Sequence, residues 1–466
     1  MKTPVRRAPD KSRVAKPQLK VENATVRTKA QGPAGKRNSP AGRPVSAGPT
    51  LDAAEAWAKV SPVRRAAYDV LALVEQGKGH SDELLHSARL DDLSEADRNL
   101  ATALVMGVLR WQIALDARIA KLLQRPDQRL AEPVSLALRL GAFQLLHMDR
   151  IPAHAALSES VELCRAAGHP HATGMVNAIL RKLASAQPPS ERVFESSAAF
   201  AERLGHPRWL VERWVAHFGR ETALRICAAD QVEPERGRIF AHQDELPLID
   251  DGSRWVAELA AAALPVVSGR APRVWDCCAA PGGKTLVLAA RLEDADLLAT
   301  DVSARRLAAM QSRFACAHNA DAIRTGVADA TRLPPVEGDF DLILLDAPCS
   351  GSGTLGRNPE IRLRLSVEEV TRQAQRQKEL LAAALARLAP GGRLVYSTCS
   401  LEPEENEAVV ATIPQQFRLL PAEAFAAKIP DLLVPLDSIH AENALRTVPG
   451  VDPCDGFFAQ IIERPA

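Results

Sequence analysis

The chain has 466 residues, 46% hydrophobic and 25% charged, which is too long for one ordinary domain and apolar enough for two or three cores. No apolar run approaches the ~20 residues that span a bilayer, and the N-terminus has no signal-peptide core, so no membrane partner is expected. The net charge of +1 hides an asymmetry: residues 1–50 hold twelve basic and two acidic groups, a charge of +10, which leaves −9 on the remainder.

Residues 1–55 are rich in Pro, Gly, Ala, Ser, Lys and Arg and poor in large apolar groups. Such a segment cannot bury enough surface to fold, so a disordered basic leader is expected. A basic tail on an acidic body suits a polyanion partner; the same composition suits a solvated leader with no specific role.

Residues 56–190 read as an all-helical bundle of about six helices. Arg64 to Val74 has helical apolar spacing. Ser94 with Asp97 resembles a capping box, and Leu100, Leu104 and Val108 then recur every fourth residue. Further periodic runs cover Ile113–Leu123, Val134–Leu146, Ala155–Ala166 and Gly174–Leu183, punctuated by Pro126, Pro133, Gly141, Pro152 and Pro170. A connector follows over residues 191–265. Its HPRWLVERW segment (His206–Trp214) predicts a short amphipathic helix, with Trp209 and Trp214 as packing residues.

Residues 266–466 alternate strand and helix, which predicts an α/β domain with a mostly parallel, doubly wound sheet. Strands are expected at Val274–Cys277, Leu297–Thr300, Ile323–Thr325, Phe340–Leu345 and Leu394–Ser397, and a closing strand at Gly456–Glu463. Helices are expected at Lys284–Arg291, Ser303–His318 and Val367–Leu388, the last closed by Pro390-Gly391-Gly392.

AAPGGKT (Ala279–Thr285) links the first strand to its helix. Its glycines allow close approach of a ligand, and the helix start adds partial positive charge. It is not a phosphate loop, because the leading glycine of that pattern would fall on Cys278; a dinucleotide GxGxxG is also missing. Asp301 at the end of the second strand can accept ribose hydroxyls, and Asp329 after the third can bond an adenine amine. Asp346 at the end of the fourth can face a sulfonium. Ribose, adenine and a close backbone turn without a phosphate clamp point to S-adenosylmethionine as cofactor.

Eight cysteines are spread thinly, without paired CxxC sets, so neither a metal site nor a disulfide framework is expected, and reduced thiols fit the cytoplasm. Two of them matter. Cys349, in LILLDAPCSG (Leu342–Gly351), and Cys399, in RLVYSTCSLEPEEN (Arg393–Asn406), both follow apolar strand ends, where ligands bind in open α/β sheets. Two thiols there suggest covalent chemistry. Cys277 and Cys278 lack such a context and read as packing thiols.

CCAAPGGKT, DVSARRL, LLDAPCSGSG and YSTCSLEPEEN, in that order, resemble the Sun family of RNA (cytosine-5) methyltransferases, and the helical region resembles the NusB-like RNA-binding module. The resemblance covers residues from about 60 to 466 and implies a Rossmann-like S-adenosylmethionine-dependent sheet with an antiparallel C-terminal strand, preceded by a NusB-like bundle. It implies Cys399 as nucleophile, Cys349 as the residue of product release and Asp346 as the acid that contacts the base. Cys278, Ala279, Ala280, Pro281, Gly282, Lys284, Asp301, Arg306, Asp329 and Asp346 are its implied cofactor contacts. RNPEIRLRL (Arg357–Leu365) departs from the family pattern, which has a His after the first Arg and a Trp near Leu363.

In the implied reaction, addition of the Cys399 thiolate to carbon 6 of cytosine activates carbon 5 toward methylation. An Asp346 whose pKa is raised by burial would donate to N3, and Cys349 would take the carbon 5 proton. The base must be unstacked, which single-stranded RNA allows cheaply. Arg64, Arg65, Lys78, Arg357 and Arg362 are candidate RNA contacts. The NusB-like module favours ribosomal RNA over tRNA as the partner, and a monomer is expected. A non-catalytic RNA-binding factor is the rival reading.

Overall fold

The computed structural model describes residues 53–125, 128–185, 196–233, 235, 237–240, 249–314, 323–332, 338–430, 432–433, 440–441 and 443–466. Nearly all of the basic leader expected over residues 1–55 lies outside the described residues.

Helices α1 (Ala53–Trp57), α2 (Pro62–Glu75), α3 (Ser81–Leu85), α4 (Glu95–Ala120), α5 (Glu132–His147), α6 (Ala153–Ala166) and α7 (Thr173–Ala184) pack around one core. Ser94 starts α4 as expected: its hydroxyl accepts from the Asp97 amide at 3.2 Å and donates to the Asp97 carboxylate at 2.8 Å. The run expected from Ile113 is continuous with the one around Leu104, since no proline interrupts α4. The sequence reading that no apolar run nears membrane length is therefore amended: α4, 26 residues long, holds an 18-residue window of mean hydropathy 1.3 and is long and apolar enough by composition alone. Its Leu104, Val105 and Val108 are fully buried in the bundle core.

Helices α8 (Ser197–Arg203), α9 (Arg208–Phe218) and α10 (Arg220–Ala229) build a second core that includes Leu355 and Leu401 from the turns beyond the two motif cysteines. The amphipathic helix predicted at His206–Trp214 is α9. Trp214 is buried and donates its indole N–H to Glu402 at 3.1 Å, a packing role, and Trp209 packs on the same cluster.

Helix α11 (Asp251–Ala262) precedes the sheet domain. There the chain runs β1 (Arg273–Asp276), α12 (Gly283–Arg291), β2 (Asp296–Asp301), α13 (Ala304–Phe314), β3 (Ile323–Val327), β4 (Phe340–Asp346), α14 (Ile361–Arg364), α15 (Val367–Leu385) and β5 (Leu388–Thr398). It ends with α16 (Glu407–Val410), β6 (Arg418–Leu420), α17 (Glu423–Ala426), β7 (His440–Ala441), β8 (Ala444–Thr447) and β9 (Phe457–Glu463). The strand order is β3-β2-β1-β4-β5-β9-β8-β7, with β6 also on β9. Strands β1 to β5 are parallel, as the strand–helix alternation predicts, and β9 is antiparallel to β5, as the family resemblance implies.

Alternation along the strands places Val274, Leu342 and Leu344 against α11, α12 and α13, and Trp275, Ile343 and Leu345 against α15. Cover on both faces explains why the central strands read as unbroken apolar runs. Two expectations differ. Strands β6 to β8 are not read from the sequence, because they are short edge pieces with little alternation. The helix expected to reach Leu388 stops at Leu385, and Leu388 pairs with Phe340. Residues 389–392 bulge before pairing resumes at Leu342 and Arg393, since Pro390 has no N–H for the ladder and Gly391 sits at φ 76°.

Candidate active site

The carboxyl ends of β1 and β4 open onto a cleft of about 230 Å³. Its lining includes six of the predicted contacts: Cys278, Ala279, Ala280, Pro281, Lys284 and Asp346. Gly282 stands behind the lining but shapes it. Its φ is 95°, and a Cβ there would lie 2.5 Å from Met310 Cγ and 2.7 Å from Phe314. Only glycine lets the loop turn into α12 against α13.

Asp276 closes the floor of the cleft. Its Oδ2 accepts from Thr285 at 2.7 Å, while Oδ1 is buried without a hydrogen-bond partner. Burial pushes the Asp276 pKa up to about 7. Asp276 is a lining residue, and a carboxylate there with one oxygen unpartnered suits a ligand ammonium, so the residues present fit the amino-acid end of S-adenosylmethionine. Lys284 donates to Asp346 at 2.7 Å and to Ser253 at 2.9 Å. Burial works to lower the Lys284 pKa, but the Asp346 carboxylate outweighs it and keeps the ammonium above its ordinary value. Ser397 donates to the other Asp346 oxygen at 2.8 Å.

The other implied contacts stand outside the lining. Asp301 is buried at the end of β2, where it accepts from the Ser303 amide at 2.8 Å and lies 3.4 Å from Arg306. Arg306 also donates to the Ala280 carbonyl, which braces the loop. Asp329 is exposed and folds onto Thr331, whose amide and hydroxyl it accepts at 3.0 and 2.7 Å. Those bonds hold its pKa below the usual carboxylate range.

The two motif cysteines converge. Cys349 and Cys399 place their sulfurs 3.4 Å apart. Both lie in turns leaving adjacent parallel strands: β4 ends at Asp346 and β5 at Thr398, and the Ala347 amide bonds the Ser397 carbonyl at 2.8 Å. Hydrogen bonding to Cys399, together with burial, pushes the Cys349 thiol well above its ordinary value. Cys277 and Cys278 are different: burial raises both, Cys278 to about 12, and no partner activates them.

The C-terminal region, residues 267–463, matches the family model of 16S rRNA methyltransferase RsmB/F, and residues 61–185 match the NusB family. The ribosomal RNA small subunit methyltransferase B of Xanthomonas campestris pv. campestris is 33% identical over 456 residues, covering 88% of this chain and 99% of that protein. The chain belongs to the RsmB/F family of 16S rRNA methyltransferases. A Citrobacter koseri protein of the same name is 31% identical over 86% of this chain and 98% of its own length. The crystal structure of PH0851 shares the fold, with TM-score 0.63 at 23% identity, covering 87% of this chain and 99% of that one. Membership rules out the rival reading of the chain as a purely RNA-binding factor.

Within this RsmB/F chain the candidate RNA contacts divide. Arg65 and Lys78 are exposed. Arg64 is buried and tied to Gln144 at 2.8 Å and Glu159 at 3.4 Å. Arg357 pairs with Asp455 at 2.6 Å and lines the cleft. Arg362 is fully buried and donates to the carbonyls of Arg110, Gly205, Asp230 and Leu355 at 3.0–3.3 Å. Arg64 and Arg362 are therefore corrected from RNA contacts to internal braces, because both residues are buried and hydrogen-bonded to partners within the protein.

The divergent loop 357–365 docks on the bundle. Glu360 accepts from the Ser81 amide at 3.1 Å and its hydroxyl at 2.9 Å, and Arg364 donates to the Val74 carbonyl at 2.7 Å. Sequence reasoning missed Ile249, Asp250, Ser253, Asp276, Gly283, Arg313 and Arg357 as cleft residues. Asp276 carried a signal, an acid at the end of the first strand. The α11 residues carried none, because only folding brings them to the sheet.

Proposed function

We propose that this chain transfers a methyl group from S-adenosylmethionine to carbon 5 of a cytosine in 16S rRNA, through a covalent bond between Cys399 and carbon 6. The observation that carries the reading is the sulfur pair, 3.4 Å apart, in the turns that leave β4 and β5; neither sulfur lines the cleft, but β4 ends at Asp346, which does. Bound in the cleft, the cofactor supplies an electrophilic methyl on a sulfonium. Asp276 would take its ammonium and Lys284 its carboxylate, and Asp301, at the end of β2, would accept from the ribose hydroxyls.

Cys399 adds as thiolate to carbon 6, which makes carbon 5 nucleophilic. Asp346 holds the base. Both its oxygens accept here, one from Ser397 and one from the Lys284 ammonium. It is therefore set to accept from the exocyclic amine, and the expected donation to N3 would first require it to take a proton and release Lys284. Cys349 keeps its own proton while hydrogen-bonded to Cys399. Once Cys399 is bonded to carbon 6, the interaction that raises the Cys349 pKa most is gone; Cys349 then gives its own proton to water, and its thiolate takes the carbon 5 proton while the freed electron pair re-forms the 5,6 double bond and expels Cys399 as thiolate.

The bundle (residues 56–190) and connector (191–265) present the RNA to the sheet domain (266–466), and the exposed Arg65 and Lys78 are its contacts on the bundle. One chain supplies the whole site, which suits a monomer. The seven cysteines among the described residues are free, as a protein working in the reducing cytoplasm requires.

Incubation with labelled cofactor and 16S rRNA is expected to yield 5-methylcytosine, and none with Cys399→Ala. Cys349→Ala is expected to accumulate a nuclease-sensitive protein–RNA band. Full activity of Cys399→Ala would refute the nucleophile.

A further inference from the structure

One buried carboxylate ties together the turns that carry the two sulfurs. Glu405 is fully buried and does not line the cleft. Its Oε1 accepts from the Ser350 amide at 2.8 Å and from Gln377 at 3.0 Å. Its Oε2 accepts from the Ser400 hydroxyl at 2.5 Å and from the Ser350 hydroxyl. Ser350 follows Cys349 and Ser400 follows Cys399, so one side chain bridges the neighbours of both thiols. Gln377 also donates to the carbonyl of Pro348, the residue before Cys349, at 2.9 Å. Tyr396 anchors the other side, its hydroxyl donating to the Glu405 carbonyl at 2.5 Å. The seam is closed by the Gly353 amide on the Cys399 carbonyl and the Leu401 amide on Ser352, each at 2.9 Å.

Burying a carboxylate costs several kcal/mol before its partners are counted. Two turns joined only for stability need no charge between them. A carboxylate adds two things that an amide does not. It accepts from all four donors at once, and it places a negative charge beside one thiol. Burial raises the Glu405 pKa and its four donors work against that rise. Its charge is among the causes that hold Cys349 above its ordinary value.

We propose that Glu405 is a positioning residue for the two-cysteine reaction: it clamps the Cys349 and Cys399 turns at their sulfur spacing and sets a negative charge behind Cys349. The proposal rests on the reading of the two cysteines given above.

Its test separates geometry from turnover. Dibromobimane bridges two neighbouring thiols, each sulfur displacing one bromide and releasing one proton, and it becomes fluorescent when bridged. The measurement needs no RNA. Wild type is expected to bridge rapidly, and Cys349→Ala sets the background. Glu405→Gln is expected to lower the bridging rate by about tenfold and kcat on the order of 100-fold, since small displacements of reacting groups carry penalties of that size. KM for RNA and the Kd for S-adenosylhomocysteine are expected to stay within about threefold, as neither ligand touches Glu405.

Unchanged bridging in Glu405→Gln overturns the clamp, whatever happens to kcat. If that variant loses S-adenosylhomocysteine binding, and so its fold, the Ser350→Ala/Ser400→Ala double variant decides: slower bridging with cofactor binding intact supports the clamp, and unchanged bridging overturns it. A fully active Cys399→Ala would sink the two-cysteine reaction while leaving the bridging result readable on its own.

Discussion

Replacing Arg362 by Met tests whether this guanidinium is an internal brace or an RNA contact. Its four carbonyl partners come from the bundle (Arg110), the α8–α10 region (Gly205 and Asp230) and the turn beyond Cys349 (Leu355). Arg110 lies within α4 and keeps its helical bond, so three carbonyls lose their donor. At roughly 1–3 kcal/mol for each orphaned buried group, the loss is about 6 kcal/mol. A gain opposes it. Burial lowers the Arg362 pKa from 12.5 to about 10, so removing the charge recovers roughly 3 kcal/mol. The carbonyls win, and the net expectation is a destabilisation of about 3 kcal/mol, a fall of roughly 1 M in the urea midpoint. RNA affinity, measured well below that midpoint, is expected to stay within about twofold. An unchanged midpoint together with much weaker RNA binding would show that the side chain faces RNA, and the brace argument would fail.

Asp276→Asn is expected to flatten a pH dependence. A carboxyl raised in the folded state to about 7 contributes stability that is complete below its unfolded value, near pH 4, and is lost as pH rises through about 7. Without cofactor, the melting temperature of wild type relative to Asp276→Asn should therefore fall from about pH 5 to about pH 8; a constant difference contradicts the assignment. Gly353→Ala puts a Cβ 2.3 Å from the Gly456 carbonyl oxygen and 2.9 Å from that of Cys399, both rigid backbone. Activity should fall on the order of 100-fold as the cysteine turns part, and a variant as active as wild type would show that the seam is not needed. Glu360→Gln loosens the hold on Ser81; the paired cycle with Ser81→Ala should give a coupling of about 1–2 kcal/mol in thermal melts, and additivity would mean that the loop does not dock there.

The parallel sheet was legible because its strands are covered on both faces, so each had to be an apolar run ending in a polar turn. Asp301, Asp346, Cys349 and Cys399 stand at strand ends, and strand ends can be counted along a chain. The α4 cap was legible because Ser94 and Asp97 interact within one helical turn. The role of the arginines was not. Arg362 looks in sequence like any surface cation beside a reactive turn, and only its four distant carbonyls make it a buried brace. Asp329, which sequence places with the cofactor acids, folds onto Thr331, because a local hydrogen bond costs less chain entropy than a distant one.

Local chemistry and short-range periodicity, written into the chain itself, determined the fold class, the order of the parallel strands and their helices, and the two candidate thiols. What only tertiary structure decided was distance: that Cys349 and Cys399 meet at 3.4 Å, that α11 walls the cleft, and that Glu405 lies beneath both turns. Those facts depend on packing between segments far apart in the chain, and no local pattern encodes how far apart two strand ends finally lie.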